Sequence, residues 1–195
     1  MNIEIRREDE RSIAAYAGIP SQFEIREVVD LAAVALGTTT VRVHPVPLGR
    51  KDYDAQPGNS PLSWHSQFKV RHWTFLAAYA SEARVGGAVL VVRPESVAEL
   101  GGRPQFAVLW DLRVAPTRRR AGIARALLAA AEATARAAGC DGIDVETQDN
   151  NVPACRLYAS SGFTLNAVTR NAYPELPNES RMRWTRTCPH GHSQR

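Results

Sequence analysis

From Val108 to Gly139 the chain passes from a period of two to a period near four across a basic turn, and few folds accept that order. Val108, Trp110, Leu112 and Val114 alternate with Leu109, Asp111 and Arg113, as in a strand with two distinct faces. Pro116 then removes a ladder donor. From Ile123 the apolar residues recur at Leu127, Leu128, Ala131, Ala135 and Ala138, which predicts a helix with one buried face. Gly139 supplies the stop signal of a helix C-terminus. Between strand and helix lie Arg118, Arg119, Arg120, Ala121 and Gly122. The first turn of a helix has main-chain N–H groups without intrahelical partners and carries partial positive charge. Gly122 lets a ligand approach the backbone, and the arginines add full charges, so the turn is suited to a diphosphate.

These residues carry a resemblance. Arg119-Arg120-Ala121-Gly122-Ile123-Ala124 resembles the Arg/Gln-x-x-Gly-x-Gly/Ala signature of the GNAT N-acetyltransferases, and Asn151, Ala154, Leu157, Tyr158, Gly162 and Phe163 resemble the family's second motif, in the same order. The resemblance implies the GNAT fold, an α+β arrangement in which a mixed, mostly antiparallel central sheet is flanked by helices and its strands splay at the cofactor site. It also implies acetyl-coenzyme A as acetyl donor. Arg119, Arg120, Ala121, Gly122, Ile123 and Ala124 would then surround the diphosphate. Leu112, Arg113 and Val114 would run beside the pantetheine, which Asn151 would also bond, and Ala154 and Tyr158 would complete the cofactor site.

Composition narrows the alternatives. The 195 residues are 44% hydrophobic and 23% charged, which fits one globular domain, expected over 1–187 with a tail over 188–195. The net charge of +4 comes from arginine, since Lys51 and Lys69 are the only lysines. No zinc-type cysteine spacing, basic arm or aromatic RNA-binding signature accompanies it, so no nucleic-acid partner is expected. Cys140, Cys155 and Cys188 are odd in number and unpatterned, pointing to a reducing compartment, and no metal site is expected. No apolar leader or run of 18 apolar residues occurs, so a cytoplasmic protein without a membrane partner is expected; a homodimer is left open.

Taken in order, 2–6 reads as a strand, 7–11 as a charged turn, and 12–22 is undecided. The segment 23–36 fits a helix through Ile25, Val28, Val29, Ala32 and Leu36 and half fits a strand, with alanine favouring helix. β-Branched residues at 38–43 suggest a strand, and 44–61 a loop rich in Pro, Gly and Asp. A hairpin is expected over 73–79 and 84–92, a second loop over 94–104, and final strands over 163–170 and 181–187.

Acetyl transfer to an amine requires a general base near the nitrogen and benefits from an acid near the sulfur. Tyr158 suits the acid, because a phenol with an ordinary pKa near 10 is protonated at neutral pH. Asp111 and Glu146 are the candidate bases; in either case the alternative is a carboxylate paired with an arginine. Asn151, before Val152 and Pro153, also suits a helix N-cap.

The resemblance extends to the streptothricin-acetyltransferase branch through Trp110-Asp111-Leu112-Arg113-Val114, the segment 145–156, Ala172-Tyr173-Pro174-Glu175-Leu176-Pro177 and Lys51-Asp52-Tyr53-Asp54. This implies a small-molecule amine acceptor carried on a cationic antibiotic. Asp52, Asp54, Asp111, Glu146 and Glu175 then suit an acidic mouth that includes Tyr53, with Trp64, Trp73 and Tyr173 as cation–π partners. The chain departs from the branch at Asp149, usually asparagine, at Leu157, usually phenylalanine, and in the basic strand Arg181-Met182-Arg183-Trp184, which would repel a cation wherever it faces the acceptor. Acetylation of a protein N-terminus or lysine, and a non-catalytic acyl-coenzyme A-binding module, are the other readings.

Overall fold

The computed structural model describes residues 2–92 and 103–188. Most of the loop expected over 94–104, and the tail beyond Cys188, lie outside them. In chain order the described strands are β1 (Ile3–Glu8), β2 (Phe23–Val29), β3 (Val43–Lys51), β4 (Thr74–Ala80), β5 (Ala83–Val91), β6 (Phe106–Val114), β7 (Gly142–Gln148), β8 (Thr164–Thr169) and β9 (Arg181–Thr187). The α-helices are α1 (Ile13–Ala17), α2 (Trp64–Gln67), α3 (Ile123–Ala137) and α4 (Val152–Ser160). Two compact units result, one of 1–21, 54–144 and 187–195, the other of 22–53 and 145–186.

In the first unit β1, β4, β5 and β6 form an antiparallel run in the order β1-β4-β5-β6. β4 and β5 join through a tight turn in which Ser81 has φ 54°. From Val85 to Val91 every residue of β5 is buried, because both faces are covered. On one face α3 lays Ile123 and Leu127 against Gly86; on the other, the ring of Tyr16 from α1 lies on Gly87. The faces of α3 separate as the period predicts, with Ile123, Leu127, Leu128, Ala131 and Ala135 buried. Gly139, φ +76°, follows the helix end. A second cluster joins Ile13, Tyr16, Trp64, Val70, Trp73, Phe75 and Val89, with Phe68 and Trp110 packed against it. Each fully buried large side chain of this kind contributes about 1.5–3 kcal/mol of transfer free energy.

In the second unit β8 and β9 pair antiparallel, Thr164 opposite Thr185 and Thr169 opposite Arg181, and β9 also neighbours β7. β2 and β3 form a separate antiparallel pair, Phe23 opposite Lys51 and Val29 opposite Val43. This corrects the helix favoured over 23–36: Phe23–Val29 is a strand, and the alanines that suggested helix fall in the turn after it. It also moves the strand expected at 38–43, which lies at Val43–Lys51 and takes the first part of the expected loop. Pro45 and Pro47 misled because proline cannot donate to a ladder; in a two-stranded sheet one side of β3 needs no donor. α4 packs on β2 and β8. Phe163, Leu165, Met182, Trp184, Val152 and Cys155 are buried within this unit.

Candidate active site

Gly122 is the N-cap of α3 with φ +80°, and Arg120 two residues before it has φ +66°. A side chain at position 122 would be strained by that φ, although the space around its Cβ is open for 4 Å. The Ala126 amide closes the first helical bond on the Gly122 carbonyl, at 3.1 Å. The amides of Ile123, Ala124 and Arg125 therefore fall in the turn that has no intrahelical acceptors. Arg118, Arg119, Arg120 and Ala121 are exposed around it. Arg119 donates through Nε to the Val114 carbonyl at 3.3 Å. Open space, left-handed backbone and surrounding guanidinium groups fit a diphosphate.

Behind this turn, β6 carries a buried charge cluster. Arg113 is only 4% exposed. Its Nε donates to Asp111 Oδ2 at 2.6 Å, and Nη1 and Nη2 donate to the two carboxylate oxygens of Asp54 at 2.8 Å each. Nη1 also donates to the Ile19 carbonyl at 3.2 Å. The Arg113 side chain is thus committed inside its own unit. Burial pushes the Asp111 carboxyl above the usual range, and the Arg113 guanidinium opposes that rise. The buried Tyr16 hydroxyl is raised by desolvation and then by the Asp111 charge.

The second unit positions the other candidates. Asn151 caps α4, its Oδ1 accepting from the Ala154 amide at 3.2 Å, while Nδ2 donates to the Tyr53 hydroxyl at 3.2 Å. Tyr53 donates in turn to Gln148 Oε1. Two of the Asn151 amide's bonding positions are therefore taken within the protein, and Gln148, which sequence pattern did not single out, completes the chain. Tyr158, two turns along α4 from the cap, is buried with its ring centroid 5.6 Å from that of Phe163.

Glu146 projects from β7. The Tyr173 hydroxyl donates to its Oε1 at 2.8 Å. Its Oε2 is buried without a hydrogen-bond donor, and Arg181 Nε stands 3.8 Å away. Burial, then the Glu146 charge, pushes the Tyr173 phenol well above its ordinary range, so it remains a donor. Ser180 and Asp149 bond reciprocally through main-chain and side-chain groups at 3.0 Å. Lys51 pairs with Glu179, and Asp52 accepts from Gln22 at 2.8 Å. Glu175 is exposed. Trp64 and Trp73 do not stand at a surface where they could stack on a ligand; both lie in the aromatic core, their ring centroids 5.7 Å apart. The Cys155 thiol, pushed up to about 12 by burial, is a poor nucleophile. Among the described residues no group of His, Cys, Asp and Glu side chains could hold a metal ion, and no helix is long and apolar enough to cross a membrane.

Nothing in the local sequence marks these partnerships: Arg113 and Asp54 lie 59 positions apart, Tyr53 and Asn151 98. Arg181 was legible only as an unusual charge in a final strand, and Tyr16 only as the one aromatic residue in an alanine-rich segment.

Comparison with known proteins gives the family. A streptothricin acetyltransferase of Escherichia coli is 38% identical over 96 residues, covering 44% of this chain and 55% of the relative. Streptothricin acetyltransferase A of Bacillus subtilis is 36% identical over 81 residues, 40% of this chain and 47% of the relative. The chain thus spans about half the length of the curated relatives it matches. A Bacillus anthracis str. Ames protein crystallised in complex with acetyl coenzyme A shares the fold at a TM-score of 0.75 and 22% identity, over 97% of this chain and 100% of that one. The profile of the Acetyltransferase (GNAT) family matches residues 41–163, which hold the cradle turn, α3, β7 and α4. The chain belongs to the GNAT family of acetyltransferases.

Proposed function

We propose that the protein is an acetyl-coenzyme A-dependent N-acetyltransferase whose acceptor is a primary amine on a small, polar, cationic molecule of the streptothricin kind, attacked directly in a ternary complex. The observation that carries the reading is the left-handed Arg120–Gly122 turn at the head of α3, ringed by exposed arginines. The amides of its first helical turn and Arg118, Arg119 and Arg120 would hold the diphosphate. When bound, acetyl-coenzyme A supplies the acetyl group as a thioester.

Glu146 is the better of the two candidate bases. A base needs an oxygen able to take the proton, and Glu146 Oε2 has no donor, whereas Asp111 Oδ2 is held by Arg113 at 2.6 Å. Tyr173, on Oε1, orients the carboxylate. Glu146 accepts a proton from the acceptor ammonium and frees the nitrogen lone pair. Tyr158 delivers its phenolic proton to the sulfur as the C–S bond breaks and the N–C bond forms, and the second proton that the nitrogen then loses restores the phenol through water. Asp111 serves instead to position Arg113 and, through it, Asp54. The streptothricin acetyltransferases among the relatives support the choice of acceptor.

Thiol release followed with 5,5′-dithiobis(nitrobenzoate) over a panel of amines that includes streptothricin tests this reading. Turnover is expected with a cationic primary amine. Cofactor binding by calorimetry without turnover of any amine would count decisively against it. Glu146→Gln is expected to lower kcat/KM by about 10²–10³ with the acetyl-coenzyme A Kd unchanged, and Asp111→Asn by about tenfold or less.

A further inference from the structure

Most carboxylates that the sequence offers to a cationic acceptor are already spoken for. Asp54 and Asp111 are bonded by Arg113 at 2.6–2.8 Å, and Asp52 accepts an amide N–H from Gln22 at 2.8 Å. Glu179, which the sequence did not single out, is in direct contact with Lys51, and Glu175 is exposed to solvent. Glu146 differs. Its Oε1 is held by Tyr173, but Oε2 is buried with no donor, and Arg181 stands 3.8 Å off, outside hydrogen-bonding range. A buried oxygen in that condition is costly until a donor reaches it. The Arg181 side chain, on the first residue of β9, is 30% exposed against 25% for Glu146, so it is not enclosed by the protein.

We propose that Arg181 is a specificity-determining residue of the acceptor site: a resident cation that stands in for the acceptor ammonium at Glu146, yields its place on binding, and limits how much further positive charge the acceptor brings. The proposal rests on the assignment of Glu146 to the acceptor amine. The reacting ammonium gives Oε2 the hydrogen bond that Arg181 does not make. Once displaced, Arg181 remains nearby on β9, and every additional charge on the acceptor interacts with it unfavourably. A lone ammonium is therefore admitted, and a polycation is accepted less readily than the number of carboxylates alone would suggest.

The test uses primary amines built on one skeleton with net charges of 0, +1 and +2, with KM and kcat determined for the wild type, R181Q, R181M and R181K, and the acetyl-coenzyme A Kd measured for each to verify folding. In R181Q and R181M the KM should fall relative to wild type by about fivefold for each positive charge added to the amine, while kcat moves by about twofold at most. R181K should keep the wild-type dependence on charge, and added salt should shrink the difference between variants. A purely structural Arg181 would shift KM by one factor for all three amines; that outcome, or no shift at all, overturns the proposal. If the wild type itself turns over no amine, the acetyltransferase reading falls and this proposal with it.

Discussion

Asp149 is a buried carboxylate whose hydrogen-bond donors do not offset its loss of water. It is 7% exposed and accepts the Ser180 amide on Oδ1 at 3.0 Å. Burial raises its carboxyl above the usual range, more than the main-chain donors lower it. For an acid raised in this way the folded chain holds the proton more tightly than the unfolded one. Stability is then greatest with the group protonated, falls as pH rises from the unfolded value toward the raised folded value, and stays reduced above it. Asparagine, which the streptothricin branch carries here, would keep the acceptor for Ser180 and remove the charge. Asp149→Asn should therefore raise the Tm at pH 7 by about 2–4 °C, and the gain should shrink in the acid range where Asp149 is protonated in both states. Equal melting temperatures at pH 7 would mean that the buried charge costs nothing.

At the scale of the element, β5 is clamped by two neighbouring glycines. A Cβ at Gly87 would come within 2.6 Å of the Tyr16 ring and 3.1 Å of the Leu76 carbonyl. Gly87→Ala should cost about 1–3 kcal/mol in denaturant unfolding, since the ring on that face is fully buried and has nowhere to shift. A midpoint unchanged from wild type would show that α1 can lift off the strand. Elements of this kind explain which parts of the fold were legible. β6, α3 and α4 announce themselves because their signals are local: alternation over Val108–Val114, a four-residue period from Ile123, and an asparagine cap ahead of Pro153. β2 and β3 do not, because alanine after one and proline within the other speak against strand, and only their pairing with each other decides. The turn ahead of α3 was legible for the same local reason. The partners of Asp54, Asp111 and Tyr53 were not, since a count of acidic residues cannot say which arginine or amide folds onto each.

For the whole molecule, ligand binding and stability are one measurement. A chain that binds acetyl-coenzyme A only when folded gains about 2.7 kcal/mol at a hundredfold excess over Kd, which raises Tm by about 5–10 °C for a protein of this size. Gly122→Val should abolish that rise, because a β-branched residue cannot hold φ +80° at the head of α3. A variant that still responds fully would remove the turn from the cofactor site. On the proposed reading exposed guanidinium groups would meet the phosphates, so the effect should weaken with salt. Pro45 and Pro47 act at this scale too. Leu48, beside them on β3, is 61% exposed, and a bare, apolar strand rim invites stacking by a neighbouring chain. Pro45 and Pro47 have no N–H to offer an incoming strand, so β3 is a poor template for further pairing and carries its own safeguard against fibre growth.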